Sequence, residues 1–215
     1  MEDRYIETHK TWNIIAKQYE EKFMELDLYN GTYKIFCDLL SKKNTVILEI
    51  GCGPGNITNQ ILRLNPTLKI LATDVSTNMI SLAKKNNPTI KTQVLDCRNL
   101  KTVQNTFNGI ICGFIIPYLS KKDCSKLISD CANILDNKGV LYLSFVNGYP
   151  EKSGFISGSS GNSVYFYYHE LETIKKELKL HNMLITNIIE KEYKKSDSTF
   201  ETHTILIAKK SNNKQ

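Results

Sequence analysis

The residues best suited to hold a ligand form a short glycine-rich run. It reads Leu-Glu-Ile-Gly-Cys-Gly-Pro-Gly-Asn over positions 48–56 and directly follows an apolar segment. Because glycine has no Cβ, the backbone at this point can turn sharply and approach a bound molecule closely. Asn56 suits the start of a helix whose free N–H groups would face the same molecule. The run therefore indicates a nucleotide-like ligand.

Two acidic residues follow at the ends of later apolar segments. Asp74 comes 19 positions after Gly55 and ends the second predicted strand, where a carboxylate accepts hydrogen bonds from ribose hydroxyls. Asp96 lies just past the third predicted strand, where it suits either a ligand contact or the cap of a turn. Parallel-sheet folds bind ligands beyond the carboxyl ends of their strands. The glycine run, Asp74 and Asp96 are therefore predicted to share one site.

The elements that must position these residues alternate between apolar strands and amphipathic helices. Strands are predicted over 45–50, 69–73, 91–95, 109–114 and 140–146, and helices over 56–64, 77–85 and 121–135. Such alternation is typical of a parallel sheet with helices on both faces. Two further amphipathic helices, over about 12–26 and 33–40, precede the glycine run.

The C-terminal third has a different texture. Residues 147–162 are rich in glycine and serine and show no clear period; within them, 153–161 suit either a lid that orders over a substrate or a mobile connector. A short aromatic strand over 164–168 and a helix follow. The β-like segments 184–193 and 200–208 flank a polar gap, which predicts a hairpin.

Length and composition favour one domain. The chain has 215 residues, 41% of them hydrophobic, which is enough for one sizeable core and rather short for two. We divide it into an N-terminal helical cap over 1–44, a ligand-binding domain over 45–210 to which the cap belongs, and a frayed tail over 211–215.

Charge and cysteine content narrow the class of partner. The chain carries 28 basic and 22 acidic side chains, a mild excess that is typical of a solvated surface, and it has no clustered arginine stripe for nucleic acid. Its six cysteines include no C-x-x-C pair, so we expect no metal and reduced thiols. No apolar run is long enough to span a bilayer, and we expect a cytoplasmic protein without a membrane partner.

At this point the chain resembles the class I S-adenosylmethionine-dependent methyltransferases. The resemblance rests on the run at 48–56, on Ala-Thr-Asp-Val-Ser at 72–76 and on Asn-Met-Ile at 78–80, and it extends over nearly the whole chain. It implies a single α/β Rossmann-like domain: a seven-stranded, mostly parallel sheet with an antiparallel C-terminal strand, helices on both faces and extra N-terminal helices. It also implies in-line methyl transfer from S-adenosylmethionine to a small-molecule acceptor, which leaves S-adenosylhomocysteine.

Carried over by position, the resemblance implies a set of cofactor-binding residues. Those at the methionine end of the cofactor are Glu49, Gly51, Cys52, Gly53 and Gly55, with Tyr19 on the helix that closes over it. Those at the nucleoside end are Asp74 for the ribose, Val75 and Met79 for the adenine ring, and Asp96 and the Cys97 amide for the adenine edge. Gly113 and Phe114 are implied on the cofactor's other side. Tyr19, Val75 and Met79 suit an ordinary apolar core equally well.

The residues that would bind the methyl acceptor form no clear sequence motif, because in-line transfer needs positioning of the acceptor rather than a protein nucleophile. Candidate substrate-binding residues are Tyr118, Phe145, Tyr168 and His169. His169 and Tyr118 are also the candidates for a catalytic role, although a lone histidine at a strand end is more often a cap or a surface residue. Only the last two residues of 115–118 match the Asn/Asp-Pro-Pro-aromatic motif of amino-group methyltransferases of nucleic acid and protein glutamine, which argues against that subfamily.

Three other functions stay open. A nicotinamide-dependent dehydrogenase uses the same kind of sheet, although its loop is spaced Gly-x-Gly-x-x-Gly and the third glycine here comes one residue early. The others are a protein or RNA methyltransferase and a cofactor-binding protein without turnover. The acceptor molecule, its reacting atom (O, N, C or S) and the choice between a monomer and a homodimer are also open.

Overall fold

A computed structural model of the chain describes residues 4–40, 45–158, 161–195 and 197–211. Nine strands are present in these ranges. Seven of them form the main sheet: β1 Val46–Ile50, β2 Lys69–Asp74, β3 Lys91–Val94, β4 Phe107–Gly113, β5 Leu135–Val146, β8 Met183–Lys194 and β9 Phe200–Lys210. The other two, β6 Gly154–Ser157 and β7 Ser163–Phe166, form a separate antiparallel hairpin.

The main sheet has the strand order β3-β2-β1-β4-β5-β9-β8. The strands β1 to β5 are parallel, and β9 lies antiparallel between β5 and β8. This confirms the predicted class: a seven-stranded, mostly parallel sheet with an antiparallel strand from the C-terminus. Strand order reverses between β1 and β4, and ligands of such sheets bind at this crevice. The end of β1 is where the glycine run begins.

Six helices surround the sheet: α1 Arg4–Phe23, α2 Asn30–Leu39, α3 Asn56–Leu64, α4 Thr77–Asn86, α5 Lys121–Ile134 and α6 Leu171–Leu180. Alternate residues of a strand face opposite sides, and this divides the core in two. Ile110 packs with Leu127 of α5 on one face, and its neighbour Ile111 packs with Phe36 of α2 on the other. All four are at most 1% exposed, and each contributes about 1.5–3 kcal/mol by burial.

Several boundaries differ from the sequence-based prediction. α1 begins at Arg4, well before the first strongly apolar position, and β5 begins at Leu135, because its first residue pairs with Phe107 before a register shift. The segment 147–162, predicted to be irregular, contains β6. Its residues lack the apolar alternation that marks a half-buried strand, since β6 lies outside the main sheet.

Two other predictions extend past the described residues. Residues 159 and 160 of the proposed lid over 153–161 lie outside them, as do residues 212–215 of the predicted tail. Among the helices described, none combines the length and apolar character that crossing a membrane requires.

Candidate functional site

The glycine run forms a tight turn between β1 and α3. The backbone φ values are +69° at Gly51, +54° at Gly53 and +84° at Gly55. They lie in the left-handed region that residues other than glycine rarely adopt. Gly55 is the residue before α3, and a Cβ on it would lie 2.4 Å from Nδ2 of Asn87. The turn therefore requires glycine at Gly55 for both conformation and space.

Asp74 holds this turn from the end of the neighbouring strand. Its Oδ2 accepts a hydrogen bond from the Gly53 amide at 3.0 Å, and its Oδ1 accepts one from the Ser76 amide at 2.9 Å. Burial raises the pKa of Asp74 above its ordinary value, while these backbone donors act in the opposite direction. A carboxylate has about four acceptor positions, so Asp74 retains capacity for hydroxyl donors of a ligand.

Glu49 lies beneath the glycine turn, fully buried in the sheet. Its Oε2 accepts a hydrogen bond from the Thr58 hydroxyl of α3, whereas its Oε1 has no hydrogen-bond partner among the described residues. Burial raises the pKa of Glu49 to about 8. Buried polar groups are normally hydrogen-bonded, so Glu49 Oε1 is an unsatisfied polar atom beneath the turn.

Asp96 serves as a cap as well as a wall of the site. It precedes a short 3-10 turn over Cys97–Thr102, and its Oδ1 accepts a hydrogen bond from the Arg98 amide at 2.9 Å. The Arg98 guanidinium donates to both carboxylate oxygens, with Nη2 2.6 Å from Oδ2. Burial acts to raise the pKa of Asp96, but the Arg98 contacts outweigh it and hold the pKa below its ordinary value.

Helix α1 forms one wall of the site. The ring of Trp12 contacts Tyr19 and Tyr118 edge-on, with centroids 5.4 and 5.1 Å apart. The indole Nε1 of Trp12 is buried without a hydrogen-bond partner among the described residues. Asn13 ties the helix to the start of α4, because its Oδ1 accepts from Ser76 Oγ at 2.8 Å and from the Asn78 amide at 3.1 Å.

These elements enclose a first cavity of about 90 Å³. The predicted cofactor residues that line it are Tyr19, Gly51, Gly53, Asp74, Val75, Met79, Asp96, Cys97, Gly113 and Phe114. Of the remaining three, Glu49 lies beneath the turn, Gly55 starts the helix, and Cys52 lines the adjoining cavity. Helix α1 contributes Thr8, His9, Trp12 and Tyr19 to the wall of this cavity.

A second cavity of about 410 Å³ adjoins the first. Both cavities are lined by Trp12, Tyr19, Gly51, Gly53, Gly113, Phe114 and Tyr118, which form their common boundary. The rest of the second wall contains five further Phe and Tyr rings, those of Phe23, Tyr29, Tyr33, Phe166 and Tyr193, among aliphatic and polar residues. Phe114 is a bulky residue with φ +54°, a strained conformation of the kind that clusters at functional sites.

The second cavity also contains a hydrogen-bonded set that the sequence did not suggest. The Tyr29 hydroxyl lies 2.6 Å from Nδ1 of His203, and Nε2 of His203 lies 3.1 Å from Oε1 of Glu201. Tyr29 and His203 are 174 positions apart. No local motif marks them, and only the two-residue spacing of Glu201 and His203 along one strand face could have placed those two together.

The four candidates for the acceptor side are separated in the structure. Tyr118 lines both cavities. Phe145 is fully buried in the apolar core. Tyr168 and His169 line a different surface pocket, and Nε2 of His169 lies 3.0 Å from the Leu119 carbonyl oxygen, as in a structural histidine. Burial lowers the pKa of His169. Their functional roles stay predictions.

The site fits S-adenosylmethionine in its polar groups. Asp74 offers acceptors for hydroxyls, and Trp12, whose Nε1 is unpartnered among the described residues, lines the same cavity with a free donor. The glycines allow close approach of the backbone. Among the described residues, no group of three or more His, Cys, Asp or Glu is placed to hold a metal ion.

Comparison with known proteins agrees with this geometry. Residues 47–139 match a sequence family described as a methyltransferase domain. The chain is 26% identical over 137 residues to protein 235L of Invertebrate iridescent virus 6, which is named as a methyltransferase; the match covers 63% of this chain and 49% of that protein. It is 34% identical over 89 residues to the tRNA N(3)-methylcytidine methyltransferase trm141 of Schizosaccharomyces pombe, covering 38% of this chain and 33% of that one. The chain thus spans about half the length of these relatives, or less.

A solved structure covers more of the chain. Magnesium protoporphyrin IX methyltransferase from Synechocystis PCC 6803, with bound S-adenosylmethionine, superposes with a TM-score of 0.71 at 15% identity, covering 98% of this chain and 99% of that one. At this identity the likeness is one of fold. The domain match shows that residues 47–139 carry a methyltransferase domain, and the fold of nearly the whole chain is that of the class I S-adenosylmethionine-dependent methyltransferases.

Proposed function

We propose that the protein transfers a methyl group from S-adenosylmethionine to a small-molecule acceptor. The observation that carries the proposal is the pair of adjoining cavities. The first has ten of the predicted cofactor residues in its wall, and the second shares with it the methionine-end residues Gly51 and Gly53 together with Phe114. A donor in one cavity and an acceptor in the other would meet at this boundary.

The size and lining of the second cavity support a small acceptor. Its volume of about 410 Å³ falls in the range of pockets for small ligands, and its wall combines aromatic rings with a few polar groups, as such pockets usually do. One structural neighbour that covers nearly the whole chain is named for magnesium protoporphyrin IX as its substrate. The tRNA-modifying relative matches 38% of the chain, so an RNA acceptor is the alternative to be tested.

The chain's own residues would act by binding and orientation. Bound S-adenosylmethionine supplies the sulfonium methyl group. Asp74 and the glycine turn would fix the nucleoside and methionine ends relative to the boundary. The rings of Trp12, Tyr19 and Tyr118 would exclude water, and their faces suit a cationic sulfonium. Holding the two reactants in line supplies much of the acceleration of a displacement reaction.

Calorimetry with S-adenosylhomocysteine and with NAD tests the cofactor assignment. We expect binding of S-adenosylhomocysteine alone, and binding of NAD alone would contradict the proposal. Labelled S-adenosylmethionine is then incubated with the protein and with low-mass, RNA and protein fractions of a cell extract. We expect label in the low-mass fraction. Label only in RNA or protein would replace the proposed acceptor class, and cofactor binding without label in any fraction would favour a non-catalytic role.

A further inference from the structure

We propose that Tyr29, His203 and Glu201 form a proton relay in the second cavity that serves an uncharged, planar acceptor with a hydroxyl group. The inference rests on the proposed function, because a proton must be removed only if an acceptor in the second cavity receives a methyl group from the first cavity. All three residues line the second cavity.

The direction of the relay follows from its two hydrogen bonds. A carboxylate only accepts, so in the 3.1 Å contact the His203 Nε2–H donates to Oε1 of Glu201. In a neutral imidazole the other nitrogen is then an acceptor. The Tyr29 hydroxyl, 2.6 Å from Nδ1, therefore donates to it. The oxygen of Tyr29 keeps a lone pair for a hydroxyl in the cavity.

The surroundings hold the imidazole in this orientation. The ring of Tyr193 stacks on His203, with centroids 4.9 Å apart and an interplanar angle of 13°. Phe114 contacts the same imidazole at 4.8 Å. Because Phe114 also lines the first cavity, the relay lies one ring away from the cofactor site. An ion pair of Lys195 with Glu201, 3.8 Å long, supports the carboxylate from its far side.

Tyr29 is suited to pass a proton rather than to give one up permanently. It is 6% exposed, and burial raises its pKa well above the ordinary value. Tyr29 therefore stays protonated, and the proton that it accepts must be matched by one that it donates to Nδ1 of His203. The resulting imidazolium is stabilised by the Glu201 carboxylate, as in other carboxylate-supported histidine bases.

The relay balances the chemistry of hydroxyl methylation. The acceptor oxygen forms a bond to the methyl carbon, the carbon–sulfur bond breaks, and its electron pair stays on sulfur, which becomes a neutral thioether. The acceptor's proton moves to the oxygen of Tyr29 while the proton of Tyr29 moves to Nδ1 of His203. The imidazolium then returns the proton to solvent. No oxidant, reductant or metal takes part.

The chemistry of the acceptor follows from what the relay is needed for. A phenol loses its proton unaided only near pH 10, whereas a carboxylic acid, near pH 4, needs no base at neutral pH. The aromatic wall fits a planar, apolar body. Lys22 is the single basic residue, apart from His203, among those found in the wall, so a strongly anionic acceptor lacks partners there. These features favour a phenol-like hydroxyl.

The test uses two aromatic probes of similar size, 1-naphthol and 1-naphthalenethiol, at pH 7 with S-adenosylmethionine. An aromatic thiol is more acidic than the cysteine thiol, whose pKa is about 8.5, and needs no base. The variants are Tyr29→Phe and His203→Asn. Tyr149→Phe and His181→Asn, which lie outside both cavities, are matched controls. Binding of S-adenosylhomocysteine by every preparation shows that it is folded.

We expect methylation of 1-naphthol by the wild-type protein and a fall of about 100-fold or more in kcat in both relay variants, with the Kd for 1-naphthol and the rate on the thiol nearly unchanged. Histidine-selective ¹⁵N NMR of the S-adenosylhomocysteine complex gives an independent readout. We expect an unprotonated Nδ1 and a protonated Nε2 at His203, with the Nδ1 signal shifted in Tyr29→Phe.

Three results would overturn the relay. They are cofactor binding without transfer to 1-naphthol, near-wild-type transfer by either relay variant, and an equal loss of rate on the alcohol and the thiol, which would indicate a structural role only. Failure of every preparation to bind S-adenosylhomocysteine would instead refute the proposed function itself.

Discussion

The amide N–H of Gly53 donates to Oδ2 of Asp74 across 3.0 Å, and this bond joins the turn after β1 to the end of β2. The same carboxylate accepts from the Ser76 amide at the start of α4. Asp74 therefore links the glycine turn, the end of β2 and the start of α4 at the carboxyl edge of the sheet while it lines the first cavity. A ligand that engages Asp74 is coupled to the position of the glycine turn.

Replacement of Asp74 by asparagine should weaken binding of S-adenosylhomocysteine about 10- to 100-fold. The amide loses the charge-assisted hydrogen bonds to ribose hydroxyls, and such bonds contribute about 1.5–3 kcal/mol. Calorimetry measures the change. Asp197→Asn, at an exposed turn in which Asp197 bonds only locally with Thr199, is the matched control and should bind like the wild type. An unchanged Kd in Asp74→Asn would refute the ribose contact.

The substitution Gly55→Ala should lower the free energy of unfolding by about 1–3 kcal/mol. Its φ of +84° disfavours a side chain, and the new Cβ would lie 2.4 Å from Nδ2 of Asn87 and 3.1 Å from Cα of Ala83. Urea unfolding measures the difference. Gly31→Ala, within α2 and with open space around its Cβ, is the control and should be neutral or stabilising by up to about 1 kcal/mol. Equal effects of the two substitutions would contradict the strained turn.

Because of Glu49, the free energy of unfolding should fall as pH rises from about 4.5 to about 8. Its pKa in the folded protein is about 8, raised by burial from an ordinary value of 4.5. The folded state therefore holds a proton that the unfolded state has released, and the stability present below pH 4.5 is lost progressively toward pH 8. In Glu49→Gln this contribution disappears.

The measurement is urea unfolding of wild type and Glu49→Gln at pH 5, 6.5 and 8. Between pH 5 and pH 8 we expect the free energy of unfolding of Glu49→Gln to rise relative to that of the wild type by an amount on the order of 3 kcal/mol. The comparison cancels titrating groups that do not interact with Glu49. Parallel pH dependences of the two proteins would show that Glu49 has an ordinary pKa.

The substitution Asn13→Ala should loosen α1 from the rest of the domain. The side chain of Asn13 accepts hydrogen bonds from Ser76 Oγ and the Asn78 backbone amide. The backbone carbonyl oxygen of Asn13 accepts a third from Asn78 Nδ2 at 2.7 Å. The alanine variant keeps only the last of these. Hydrogen exchange should speed up in α1 and not in β4 or β5, because local opening draws on the least stable elements.

Asn108→Ala provides the matched control for Asn13→Ala. The side chain of Asn108 also makes long-range hydrogen bonds, since it accepts one from the Val46 amide and donates one to Asp136. Asn108 lies at the end of β4 that is farther from the site. Exchange in α1 should therefore keep its wild-type rate in this variant. Faster exchange in α1 in both variants, or in neither, would contradict the idea that the Asn13 side chain anchors α1 to the start of α4.

The sequence by itself determined the class of fold and the place of the glycine turn and Asp74 within it. The glycine turn and Asp74 are set by local requirements: a left-handed backbone needs glycine, and a carboxylate at a strand end needs only its own strand to place it. The periodicity of apolar residues likewise marked the main strands and helices, because each buries one stripe or face. The weak point was β6, whose residues bury little and so show no period.

Only the tertiary structure decided which residues line the second cavity. His169 and His203 are both buried histidines, and nothing in their neighbours along the chain separates them. The insertion of β9 between β5 and β8 brings His203 to Tyr29, 174 positions away, while His169 turns to the Leu119 carbonyl. Long-range pairing chooses between such residues because their partners come from distant strands and loops, and that choice depends on packing that no local pattern encodes.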